Sequence, residues 1–237
     1  MGPNLGILAI IFAVLFNTGL AFVISLSGTP PYFPGPWESA DTIATYFRNQ
    51  QHDVLICAFF HFGSAIPFGL FVATTVSRLR FLGINSAGAH IALFGGIMMA
   101  IGQAISSLIL WVMAYPGIAS DISTIRALYY AVYAIGGVGY SVPLGIFIAG
   151  VSISAGLTKL LPKWVMIFGL LLFAFGELSW LSLIFPRLLF FIPLTRFPGF
   201  IWLIIAGFML PKSAQNRQEL IGERALIKNV SEPQVAT

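Results

Sequence analysis

The sequence predicts an all-α fold: a polytopic transmembrane bundle of six helices, with both termini in the cytoplasm. Three observations carry this. The 237 residues are 58% hydrophobic and 8% charged, with a mean hydropathy of +0.92. A soluble domain carries about 25% charged residues, so there is too little charge here for a polar shell. The apolar residues come in long runs without strand alternation, and in lipid such runs satisfy their backbone as helices. The Lys and Arg residues fall singly between the runs, and they divide unequally between the two sides.

The elements follow in order. Residues 5–27 form the first span. Ser25 and Ser27 would suit a cleavage site, but no Lys or Arg precedes Arg48 and the run exceeds the ~7–15 residues of a leader core. We therefore read a retained span. Met1-Gly2 lacks a hydroxyl at position 6, where Gly6 stands, so no acylation motif is present. In PGPWESADTIATYFRNQ, Pro36 suits a first helical position. Trp37, Ala40, Ala44 and Phe47 then share one face, which predicts an amphipathic helix over 36–50 on the outer membrane surface. It is either a lid over an outward-facing pocket or a loop resting on the headgroups.

Further spans are predicted at 53–77, 87–115, 125–152, 163–186 and 190–210. The third and fourth exceed the minimum and should tilt. The sixth contains Pro193, Arg196 and Pro198. Its clean part, 197–210, rises only about 21 Å. Either 190–196 completes the helix with Arg196 snorkelling to the surface, or the region is a bent entry segment. Residues 1–212 thus make one domain, and 213–237 a polar cytoplasmic tail. The Asn229-Val230-Ser231 pattern in that tail lies on the wrong side for glycosylation.

Orientation comes from the loops. Arg78, Arg80, Lys159, Lys163, Lys212, Arg217, Arg224 and Lys228 fall on one side; Arg48, Arg126, Arg187 and Arg196 fall on the other. The excess marks the cytoplasmic face. Two spans carry small residues every four positions: Ala92, Gly96, Ala100 and Ala104 in the third, and Gly137, Ser141, Gly145 and Ala149 in the fourth. Such stripes let helix backbones approach closely. The two spans are expected to pack on each other along them, with a homo-oligomer interface as the competing reading. Pro67 and Pro143 predict kinks.

Ionisable groups inside spans are the strongest functional clues in a membrane sequence. Glu177 lies about 13 Å below Pro186, and His61 about 12 Å below Asp53. Tyr133, Ser106, Ser107 and Asn17 fall at comparable depth, and Arg196 somewhat higher. These residues predict one polar layer in the outer half. Glu177 is either the centre of a ligand or proton site, partnered by His61 or Arg196, or a structural hydrogen-bonding knot.

Several chemistries are unsupported. His61 and His90 lie at different depths, so no haem is expected. No His or Cys spacing suits a metal. No nucleophile elbow, P-loop or dinucleotide fingerprint appears. Cys57 stands alone and reads as a small buried hydrophobe. The scattered basic residues give no nucleic-acid surface. No cofactor is expected. The partners expected are the lipid bilayer, a small or lipidic ligand, and a second copy of the chain. In its order of features the chain resembles uncharacterised six-span bacterial integral membrane families: a first span without a basic start, the stretch WESADTIATYFRNQ, five further spans and a short polar tail. The resemblance implies an inner (plasma) membrane location and supplies no catalytic residues. The leading expectation is a non-enzymatic protein that binds or moves a small or lipidic ligand. An accessory subunit of a membrane complex comes second, and a membrane-embedded lipid-modifying enzyme third.

Overall fold

The computed structural model describes residues 2–24 and 32–212. The end of the first predicted span, the polar tail and Asn229 lie outside the described residues. Among the described residues there are eight α-helices and no strand. They are α1 (Leu5–Val23), α2 (Ala40–Asn49), α3 (Gln51–Phe81), α4 (Ala87–Met113), α5 (Ile122–Gly136), α6 (Val138–Leu157), α7 (Lys163–Ser179) and α8 (Phe191–Met209). Six segments are long and apolar enough to cross a membrane: α1, α3, α4, α5 with α6, α7 with the 3-10 turn after it, and α8 with the 3-10 turn before it. The chain is therefore a helical multi-pass membrane protein.

Local chemistry sets the helix ends. Asn4, Ser39 and Asp121 cap α1, α2 and α5, their side chains accepting from the amides of Ile7, Thr42 and Ser123. α3 ends in a Schellman motif. Gly83 takes φ +83°, its amide donates to Arg80 O, and the Ile84 amide donates to Leu79 O. α6 ends the same way, with Lys159 in the left-handed position. At the terminal end of the bundle the Arg78 guanidinium donates to Pro3 O and Leu210 O. It thereby ties together the start of α1 and the end of α8.

The spans close a ring in the order α1, α3, α4, α6, α7, α8 and back to α1, with α5 against α4 and α2. Glycines set the close contacts. A Cβ on Gly95 would come within 2.7 Å of Pro143 O and Phe147 N, and one on Gly150 within 2.6 Å of Ala92 N and Gly88 O. α4 and α6 do pack on each other, but chiefly through Gly88, Ala92, Gly95 and Gly150, of which Ala92 alone belongs to a predicted stripe. Gly96 faces Val72 on α3 first and Phe147 on α6 second, and Ala100 lies toward α3 too, beside Gly69. Gly145 faces Phe173 and Gly176 on α7, and Ser141 O abuts Gly176. Ala149 is buried and Ala104 half-buried. The reason is geometric. A four-residue step overshoots one helical turn by about 40°, so a stripe of four such positions winds onto a different neighbour.

Three further expectations are corrected. The fourth span is not one helix: α5 stops at Gly136 and α6 starts at Val138, with Gly137 at φ −93°, ψ −87° between them. Gly136, Gly137 and Gly139 weaken the helix there, and Pro143 supplies no N–H to Gly139 O. The amphipathic helix starts at Ala40, because Ser39 is the better cap; its Oγ accepts from Thr42 N at 3.1 Å. Trp37 precedes that helix and is 74% exposed, while Ile43, Ala44 and Phe47 are fully buried. The apolar face of α2 meets the protein, alongside Phe33, Val54, Met113 and Tyr129. In the sixth span the residues before Arg196 do complete the helix, but Arg196 turns inward rather than snorkelling.

Candidate functional site

A cavity of about 270 Å³ lies in the half of the bundle covered by α2. Its position follows from the α5–α6 break. On either side of Gly137 the two helices part: α5 packs on α4 and α2, while α6 packs on α4, α7 and α8. The space among α1, α3, α4, α5 and α8 is left unfilled. Phe16, Leu20, Val23 and Leu110 give it an apolar wall. His61, Gln103, Ser106, Ser107, Tyr133 and Arg196 give it a polar one. Ile24 and Pro193, both exposed, mark its rim.

Among the described residues Arg196 is the only Lys, Arg, Asp or Glu in this wall. It donates from Nη2 to Gly136 O. That carbonyl is available because Tyr140 N bonds Gly137 O instead, at 3.2 Å. The broken helix thus supplies the acceptor that anchors the arginine. The guanidinium carbon lies 4.4 Å from the Tyr140 ring centroid and 5.3 Å from that of Phe16. Nε is buried with no partner. Among the described residues no carboxylate lies within 4.0 Å of the guanidinium. Two ring contacts return about 0.5–2 kcal/mol each, whereas removing a cation from water costs several kcal/mol. The charge is only partly compensated by the protein.

His61 stacks on Phe16, with ring centroids 4.3 Å apart and planes 13° apart. Its Nε2 is 3.1 Å from Phe16 O, and a carbonyl only accepts, so Nε2 carries the proton in this arrangement. The His61 carbonyl accepts from Ser64 Oγ and from Gln103 Nε2. Ser106 donates to Val132 O and Ser107 to Gln103 O. Both hydroxyls are thereby fixed as acceptors toward the cavity. The Tyr133 hydroxyl has no hydrogen-bond partner among the described residues and is free to donate. Cys57 Sγ lies 3.7 Å from His61 Nδ1 and 3.9 Å from Nε2. Being nearly equidistant, it is aimed at neither nitrogen, so the pair lacks the line-up of a nucleophile and its base.

The structure thus brings together His61, Tyr133, Ser106, Ser107 and Arg196. It leaves out Glu177 and Asn17. No α7 residue lines the cavity. Gly176 is the α7 residue turned to α6 and α8, touching Ser141 O and Thr195; Glu177, one residue on, is rotated about 100° away. It is half-buried, with Oε1 lacking a partner. Asn17 is exposed and donates to its own helix at Ala13 O, while Phe16 beside it faces inward. Sequence reasoning missed Gln103 and set Cys57 aside. Gln103 had a signal: it stands three and four residues before Ser106 and Ser107, on one helical face. No family model, curated protein or solved structure matches the chain.

Proposed function

We propose that this multi-pass membrane protein binds, or passes on, a small or lipidic ligand held in the cavity among α1, α3, α4, α5 and α8. One observation carries the reading. Six polar side chains from α3, α4, α5 and α8, each costly to place in lipid, converge on one cavity. The apolar face of α2 docks on that end of the bundle. The loop charges support a cytoplasmic terminal end and a cavity in the outer half of the inner (plasma) membrane. The accessory-subunit reading is less favoured. Gly96 and Gly145, which would have formed an assembly surface, are packed against α3 and α7 of the same chain.

Native mass spectrometry of the detergent-released protein tests the proposal. The wild type should carry a one-to-one small-molecule adduct. Val132→Trp, which fills the cavity, should lose the adduct while melting at a similar temperature. A bare wild type, or an adduct that persists in Val132→Trp, contradicts the reading.

A further inference from the structure

Resting on that reading of the cavity, we infer the class of its ligand: a single-chain carboxylate, its head bound by Arg196 and its chain lying along Phe16, Leu20, Val23 and Leu110. Three features of the cavity lead there. The first is charge. A guanidinium has five N–H donors; here Nε is buried and Nη2 spends one donor on Gly136 O, while Nη1 makes no hydrogen bond among the described residues. With no carboxylate nearby among the described residues, the site holds a positive charge and an open fork. A carboxylate fits that fork with two parallel hydrogen bonds. Tyr133 offers a further free donor on the same wall. The start of α6 at Val138, next to the anchoring carbonyl, adds the positive end of a 20-residue helix dipole.

The second feature is polarity. Of the rest of the wall, the Ser106 and Ser107 hydroxyls, His61 Nε2 and Gln103 Nε2 are already bonded to backbone carbonyls, and most of what remains is apolar. A ligand with one anionic end and an apolar body satisfies both parts; an inorganic anion would leave the apolar wall bare. The third is size. At about 30 Å³ per water the cavity holds about nine water volumes. Within the cavity that accommodates a head and one short chain.

The test uses the full chain in phosphatidylcholine nanodiscs, titrated with decanoate, decanol and decylamine and followed by calorimetry. Decanoate should bind saturably and at least about tenfold more tightly than decanol or decylamine. Arg196→Gln should abolish that preference while keeping decanol-level binding. Arg196→Lys keeps the charge without the fork and should restore part of the preference. Equal binding of decanoate and decanol by the wild type overturns the inference, as does a preference that survives in Arg196→Gln. Loss of decanoate binding in phosphatidylglycerol nanodiscs would move the site to a lipid headgroup and overturn the single-chain assignment. If none of the three probes binds but the native adduct is present, the ligand class is wrong and the cavity reading stands. Absence of the adduct sinks the cavity reading itself.

Discussion

Arg196 and Glu177 both place an ionisable side chain inside a span, and the fold treats them oppositely. Arg196 is drawn inward by the carbonyl of Gly136 and two aromatic rings. Glu177 is turned off the cavity, with one carboxyl oxygen buried and unpartnered. It follows that Glu177→Gln leaves ligand binding unchanged. Glu177→Leu should stabilise the protein by about 1 kcal/mol in denaturation, because a buried unpaired acceptor is removed. Loss of binding in either variant would return the carboxylate to the site. The sequence made both residues conspicuous by their rarity. It did not say which way they point, because the direction of a side chain in a bundle depends on which helices stand beside it. Glu177 and Gly176 differ by one position, and only the packing of α7 on α6 reveals that Gly176 takes the inner face.

At the scale of elements, helix approach is set by glycines at particular faces. Gly150→Ala would push a methyl to within 2.6 Å of Ala92 N and Gly88 O. Neither is the tip of a flexible side chain, so the backbones must separate, and thermal or chemical denaturation should register a loss of about 1–3 kcal/mol. Gly63, inside α3, has nothing within 4 Å of a would-be Cβ. Gly63→Ala should therefore stabilise by about 0.5–1 kcal/mol, through helix propensity alone. Similar effects from both substitutions would refute this packing account. The spans themselves were legible, since hydropathy and length suffice to mark them. The α5–α6 break was not, although its residues were in view. Gly137 read equally well as the start of a packing stripe with Ser141, Gly145 and Ala149, and only its dihedrals separate a stripe from a hinge. The start of α2 was likewise misread, because Pro36 and Ser39 are both good openers and only the bond to Thr42 decides between them.

For the whole molecule, ring closure and the broken span together create the site. Five of the seven residues placed in a polar layer from sequence depth line one cavity: His61, Ser106, Ser107, Tyr133 and Arg196. Depth was legible because rise per residue is fixed; azimuth was not, and it is azimuth that excludes Asn17 and Glu177. Six costly polar groups facing one cavity are what support the proposed binding role. Photolabelling with a decanoate analogue carrying a diazirine on its chain, followed by peptide mapping, tests this most directly. The account predicts adducts on residues 16–24, 103–110, 132–137 and 189–196, reduced by excess decanoate. Labelling spread over lipid-facing side chains such as Phe59, Leu171 and Ile201, and indifferent to competitor, would contradict it.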